Sequence, residues 1–312
     1  MRVLVTGAFG YVGRAVSRGL LDGGHEVVAM TTQLNRPQSS NGVTVVVADL
    51  RDPKQLDAAV DGVDAVVHLA ALTRVRESFD MPDKYSMVNA VGTENLLTAV
   101  AGTKQVMPFV HASTAAVYGA PEKQPISEDC EPAPGNPYGM TKLAADVAVR
   151  DATAKGDVAG VSLRAFNIAG SVGRHPDPDL SRIIPKVLAV AAGRFDEVTV
   201  NGDGSAIRDY VHIADLATAF ALAIGIAQPG KFGVFNIGAT PATVAQIIEV
   251  SRRITGRKIP AKSNPPAPEA PELRADTTRA RTELGWVPSH SSLERIISDA
   301  WDAERSAEHN GS

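Results

Sequence analysis

A tyrosine and a lysine stand four positions apart at Tyr138 and Lys142. On a helix that spacing puts them one turn apart on the same face. A free phenol ionises near ~10, too high to exchange protons at neutral pH. A neighbouring ammonium favours the phenolate, so Lys142 is expected to lower that value and make Tyr138 an acid–base group. Such pairs also arise by chance, and the surroundings must support the reading. Upstream, the apolar run 106–111 leads into Ser113 and Thr114. That places hydroxyls at the C-terminal end of a strand, where α/β sheets bind their ligands.

A second constellation lies at the start of the chain. The segment Thr6-Gly7-Ala8-Phe9-Gly10-Tyr11-Val12-Gly13 directly follows an apolar run and opens a helical stretch. Gly7, Gly10 and Gly13 permit a tight turn and a close approach of backbone to a pyrophosphate, whose charge suits a helix N-terminus. A glycine-rich turn without a ligand is the alternative, and its place in a strand–turn–helix series speaks against it. The spacing G-x-x-G-x-x-G differs from the G-x-G-x-x-G of ordinary dehydrogenases. The second strand ends at Thr31, where a carboxylate usually bonds the adenosine ribose of NAD. Nothing there repels a 2′-phosphate, and Arg36 is placed to attract one unless it is simply a solvated loop residue. The expected cofactor is therefore NADP in preference to NAD. Asp49 and Leu50, closing the third strand, are placed to flank an adenine.

These groups need a scaffold. Apolar β-branched runs at 3–5, 27–29, 43–47, 65–68 and 106–111 alternate with amphipathic stretches at 15–21, 53–60 and 85–100. The alternation predicts βαβ units, and the near-continuous apolar strands predict a parallel sheet covered on both faces. The expected fold is α/β: a Rossmann-type doubly wound parallel sheet with a smaller C-terminal α/β substrate-binding lobe. Residues 1–170 should form the dinucleotide domain carrying Thr114, Tyr138 and Lys142. Residues 171–305 should form mainly the substrate lobe, with segments near 205–240 returning to the first domain and a frayed tail at 306–312. Four prolines in 264–271 predict an extended segment.

Composition narrows the function further. The chain has 312 residues and a net charge of −4, with no Lys/Arg run, which argues against nucleic acid or an anionic membrane as partner. No stretch approaches the ~20 apolar residues that span a bilayer, and Cys130 is the single cysteine. A cytoplasmic protein without disulfides is expected. The seven histidines form no pair at metal-ligand spacing, so no metal is expected. His212 and Trp286 read as packed residues and Cys130 as an inert one.

Further motifs extend the pattern: DLRD at 49–52, HLAA at 68–71, STAAVYG at 113–119, YGMTK at 138–142, LRAFNIAG at 163–170, GDGSAIRDYVHIADLA at 202–217, FNIGAT at 235–240 and LGWVP at 284–288. Together with TGAFGYVG they are spread from Thr6 to Pro288, a span of about nine-tenths of the chain. The chain resembles an extended short-chain dehydrogenase/reductase of the NAD-dependent epimerase/dehydratase family, and within it is most similar to the UDP-glucose 4-epimerases. The resemblance implies an NAD(P)-dependent oxidoreductase acting at C4 of a nucleotide sugar, as an epimerase or, alternatively, as an NADPH-dependent 4-ketoreductase of a deoxysugar. It implies Tyr138 as the base, Lys142 as its partner and Thr114 as the active-site hydroxyl. Phe9, Tyr11, Val12, His68, Leu69, Ala70, Ala71, Asn89 and Ser113 would join the glycines around the cofactor. Thr73, Asn167 and Arg208 would contact the substrate, the last two at its diphosphate. A homodimer paired through the helices at 85–100 and 138–150 is also implied. Two departures stand out: Thr31 replaces the family's ribose-binding aspartate, and the segment 265–269 lacks the family's second phosphate-binding arginine. A non-catalytic NAD(P)-sensing regulator is a remote alternative, since such proteins typically lack the tyrosine present here.

Overall fold

In the computed structural model, residues 1–33, 39–40, 42–265 and 269–309 are described, the side chains of 39–40 and 307–309 excepted. In chain order the strands are β1 (Arg2–Thr6), β2 (Glu26–Thr31), β3 (Ser39–Ser40), β4 (Val43–Val47), β5 (Ala65–His68), β6 (Pro108–Thr114), β7 (Ala159–Ala165), β8 (Asn167–Ala169), β9 (Val198–Asn201), β10 (Ile207–His212), β11 (Gly233–Ile237), β12 (Thr240–Thr243), β13 (Ala261–Asn264) and β14 (Glu272–Leu273). The helices are α1 (Tyr11–Asp22), α2 (Pro53–Ala59), α3 (Val75–Asp80), α4 (Pro82–Tyr85), α5 (Gly92–Gly102), α6 (Pro137–Lys155), α7 (Ile183–Ala191), α8 (Ile213–Ile226), α9 (Val244–Thr255), α10 (Thr278–Thr282) and α11 (Leu293–His309).

The main sheet runs β11-β7-β6-β5-β1-β2-β4-β3, parallel throughout except at the short β3 edge. Its inner strands are apolar without alternation because both faces are covered; every residue of β5 and β7 is buried. Successive residues of β1 point to opposite sides. Val3 and Val5 pack with α1 and α8, whereas Leu4 packs with α2, α5 and α6. The smaller lobe joins β12, β10, β14 and β8 in one sheet and β13 with β9 in another, closed by α7, α9 and α11. Gly233–Ile237 returns to the main sheet, while Ile207–His212 lies in the second sheet beside Asn167–Ala169.

Three local differences from the sequence reading bear on the site. The run expected at 106–111 forms a strand displaced to Pro108–Thr114, with Ser113 and Thr114 at its C-terminal end as expected. The stretch expected as one helix over 85–100 is interrupted by a π-helical segment, Ser86–Val91. Helix α11 continues through His309, past Ser306. Among the described residues no helix is long and apolar enough to cross a membrane. None of their His, Cys, Asp and Glu side chains cluster in a group that could hold a metal.

Candidate active site

The glycine turn is built as its spacing requires. Gly7 has φ +68°, in the left-handed region that disfavours a side chain, and a Cβ there would lie 2.9 Å from the Ala70 nitrogen. A Cβ on Gly13 would lie 2.1 Å from the Gly7 carbonyl oxygen, so only glycine lets α1 seat against the turn. Gly10 is the N-cap of α1 and provides no side-chain cap. The first N–H groups of that helix therefore have no side-chain acceptor, which is the arrangement that receives a phosphate. The Tyr11 hydroxyl donates to the Gly170 carbonyl at 2.6 Å and ties the turn to the start of the second lobe. Burial pushes that phenol up.

Above the turn a cleft of about 980 Å³ opens between the lobes, at the upper end of the ~300–1,000 Å³ usual for ligand sites. Val12, Leu69, Ala71, Thr73, Ser113, Thr114, Tyr138, Lys142, Asn167 and Arg208 all line it. Helix α6 sets the tyrosine and lysine. The Asn136 side chain caps it by accepting from the Gly139 N–H at 2.8 Å, and Pro137 occupies the first turn. Tyr138 therefore falls at the helix mouth beside the end of β6, with Lys142 one turn deeper and buried.

The electrostatics correct one expectation. Burial pushes the Tyr138 phenol up, and the Thr114 side chain and the Arg182 guanidinium partly oppose this. Lys142 is not among the groups that lower it. Burial also brings the Lys142 ammonium down to about 8, with Asp146 pulling the other way. Asp146 is itself buried, accepting from Ser113 Oγ at 2.9 Å and Arg164 Nε at 3.0 Å.

Other expected cofactor residues are engaged within the protein itself. The Leu69 and Ala70 N–H groups both donate to Thr6 Oγ1 at 3.0 Å. Asn89 is buried, and its amide is committed to the Leu72 backbone and to Thr141. The Asp49 carboxylate pairs with Arg51 at 2.6 Å, which holds it below the usual carboxylate range. Leu50 is buried in the core. Thr31 ends β2, and its hydroxyl accepts from the Gln33 N–H at 3.1 Å. Arg36 lies outside the described residues.

At the other end of the cleft the structure adds charges that sequence reasoning missed. Asn167 donates to the Asp209 carbonyl at 2.9 Å. Arg208 donates through Nη1 to the carbonyls of Ile207 and Ala270, and its Nη2 pairs with Glu269 at 2.6 Å. Parallel pairing of β10 with β14 brings Glu269 and Ala270, just ahead of β14, alongside Arg208. Arg76, Arg182 and Lys186 also line the cleft, with Glu269 as the only carboxylate there among the described residues. Arg182 is braced by Asp177 at 3.0 Å and Asp179 at 3.5 Å. The strand pairing that brings Glu269 to Arg208 has no local signature. Arg182 carried a weak signal as a basic residue just before the apolar helix α7. His212 is a packed residue: Nδ1 accepts from the Ala214 N–H, and Nε2 lies 3.2 Å from Asp299.

The cleft therefore combines a helix N-terminus without a side-chain cap, the side chains of Thr114, Tyr138 and Lys142, and an excess of positive charge. Comparisons with known proteins agree with that picture. Residues 3–238 match the model of the NAD dependent epimerase/dehydratase family. A UDP-glucose 4-epimerase from Corynebacterium glutamicum is 38% identical over 314 residues, spanning 96% of this chain and 95% of the relative. One from Streptomyces lividans is 38% identical over 316 residues, with 96% and 95% covered. A crystal structure of UDP-glucose-4-epimerase from Stenotrophomonas maltophila, with bound NAD and formylated UDP-arabinopyranose, superposes with a TM-score of 0.91 at 30% identity and covers 99% of both chains. That of the Brucella ovis UDP-glucose 4-epimerase in complex with NAD gives 0.89 at 32% identity, covering 96% of this chain and 97% of the other. This chain belongs to the NAD dependent epimerase/dehydratase family.

Proposed function

We propose that the chain is a nucleotide-sugar epimerase that inverts C4 of a UDP-linked hexose, with NAD as cofactor. The observation that carries this reading is the convergence of Thr114, Tyr138 and Lys142 on one cleft above the uncapped N-terminus of α1. The residues present suit a dinucleotide: the turn at Gly7–Gly13 receives the pyrophosphate, and Val12, Leu69 and Ala71 wall the cleft. The buried Lys142 ammonium, disfavoured by desolvation, gains from ribose hydroxyls as acceptors. The bound nicotinamide supplies a hydride acceptor.

Tyr138 takes the proton of the C4 hydroxyl as the carbon is oxidised and returns it on reduction, and Thr114 bonds the same oxygen. The raised phenol favours the proton-carrying form, so its ionisation needs the positive charge that a loaded site brings near it. Asn167 and Arg208 hold the diphosphate, with Arg182 and Lys186 adding positive charge. Glu269 must share or release Arg208 as phosphate arrives, because like charges side by side in a cleft are unfavourable.

Incubation with UDP-glucose and UDP-galactose, without added reductant, tests the reading: interconversion is expected. Turnover only with NADPH and a dTDP-4-keto-6-deoxysugar supports the ketoreductase instead. Failure to bind any nucleotide sugar, with cofactor bound and the chain folded, sinks the substrate assignment. The second nucleotide, NADP, stays a reading worth testing because Thr31 presents no carboxylate to its 2′-phosphate.

The chain acts as a homodimer in this account. Met87 and Met140 are about half exposed on the 86–102 segment and α6, and Met140 lines a shallow groove with Glu94, Leu143, Ala144 and Val147. Light scattering should give twice 32.7 kDa; a particle of single-chain mass at micromolar concentration contradicts the pairing.

A further inference from the structure

A directed chain of hydrogen bonds runs from the glycine turn to the catalytic helix. The Thr93 hydroxyl lies 2.6 Å from the Asn89 carbonyl, which can only accept, so Thr93 donates there. Its proton thus committed, Thr93 must accept from His68 Nε2 at 2.9 Å. Nε2 then carries the imidazole hydrogen. Nδ1, 2.8 Å from Thr6 Oγ1, is the acceptor of the Thr6 hydroxyl. Thr6 Oγ1 in turn accepts from Leu69 and Ala70, the start of the loop that walls the cleft. Every hydroxyl on this path donates once, and the directions leave one tautomer for His68.

The path continues through the Asn89 side chain. Leu72 offers it one N–H and one C=O, which fixes which end of the amide is nitrogen: Oδ1 accepts at 2.8 Å and Nδ2 donates at 3.0 Å. The second Nδ2 hydrogen goes to Thr141 Oγ1 at 3.1 Å, and that hydroxyl donates to the Tyr138 carbonyl at 2.9 Å. Both amide donors of Asn89 are used within the protein. His68, Asn89 and Thr93 are each at most 1% exposed. Asn89 sits in the π-helical segment, whose wider turn is a common feature of functional positions.

We infer that Thr6, His68, Thr93, Asn89 and Thr141 form a positioning spine that fixes Tyr138 relative to the glycine turn, with Asn89 acting as a positioning residue and not as a cofactor ligand. The spine rests on the proposed role of Tyr138. Burial, with the Lys142 charge adding to it, keeps His68 neutral, bringing it down to about 3, as its place in the spine requires. A misplacement of reacting groups by ~1 Å can cost about 100-fold in rate. Loss of the spine should therefore lower kcat while leaving cofactor affinity unchanged.

Three variants and one spectrum test it on the full chain. Thr93→Val removes the hydroxyl at nearly constant volume, and Thr93→Ser restores it. Turnover should fall about 10- to 100-fold in Thr93→Val and recover in Thr93→Ser, with the NAD Kd of both equal to that of the parent by calorimetry. Asn89→Asp, which loses both amide donors, should behave like Thr93→Val. A weakened NAD Kd with unchanged kcat in Asn89→Asp would make Asn89 a cofactor ligand and overturn the inference. Parent-like kcat in Thr93→Val, alongside an inactive Tyr138→Phe, would overturn the spine while leaving the assignment of Tyr138 intact. Should the valine variant fail to fold, ¹⁵N NMR of the parent imidazoles still decides: His68 must be neutral with its hydrogen on Nε2, and an Nδ1–H form contradicts the directed chain.

Discussion

The two ends of the cleft are built from different materials. At the cofactor end, glycines, backbone N–H groups and short buried hydroxyls are locked in place, and every side-chain donor on the hydrogen-bonded path from Thr6 to Tyr138 has one partner. At the substrate end, long charged side chains meet in pairs that could be rearranged, Arg208 with Glu269 and Arg182 with Asp177. A rigid site suits a cofactor that is held through the reaction. A sugar that must present both of its faces to one hydride carrier needs a looser grip, which pairs of long side chains with one part-exposed member, Glu269 and Arg182, can give. Substitutions at the two ends should accordingly act on different kinetic constants.

The largest effect is expected at Tyr138. Tyr138→Phe keeps the volume and removes the proton carrier, and turnover should fall by about 10²–10⁴-fold with the fold and cofactor content unchanged. Near-parental turnover in that variant, with cofactor bound, would remove the acid–base assignment.

Lys142→Met should also abolish most turnover, yet it should stabilise the chain at neutral pH. The lysine has an ordinary value of 10.5 and is brought down to about 8 by burial. Between those two values the folded chain holds fewer protons than the unfolded one, so parent stability rises with pH across that window. Below it the fold bears the whole cost of a buried charge. Thermal unfolding at pH 7 should show Lys142→Met above the parent, with the gap closing as pH approaches 10.5. A variant less stable than the parent at pH 7 would mean that the ammonium is a net structural asset.

Arg208→Met moves to the looser end. Loss of charge-assisted hydrogen bonds worth about 1.5–3 kcal/mol should raise the KM for nucleotide sugar about 10- to 100-fold and change kcat little. If kcat fell instead while KM held, the contrast between the two ends would collapse. The smallest expected effect is at Thr31. Thr31→Asp restores a carboxylate at the end of β2 and should shift preference toward NAD over NADP by about tenfold, measured as the ratio of their Kd values. An unchanged ratio would place the discrimination elsewhere.

Legibility in the sequence follows the same division. The glycine turn, the βαβ series and the Tyr138–Lys142 spacing are short-range patterns, and each reappears in the structure with only local shifts, as in β6. The role of Asn89 was not readable, because its partners Leu72 and Thr141 come from two other segments. Nor was the state of Tyr138: the i to i+4 spacing suggests an ammonium acting on a phenol, whereas burial, a property of the whole fold, dominates both groups. The Arg208–Glu269 pair depends on the register of β10 against β14, which no local motif encodes.

The central claim is that Tyr138 and the held cofactor act on one carbon and return its hydrogen to it. UDP-glucose carrying deuterium at C4, incubated with the purified chain and no added reductant, tests this directly when the products are read by NMR and mass spectrometry. UDP-galactose should retain its deuterium at C4, and with Tyr138→Phe it should form about 10²–10⁴-fold more slowly. Loss of the label to solvent, or turnover only when NADH or NADPH is supplied, would contradict the claim.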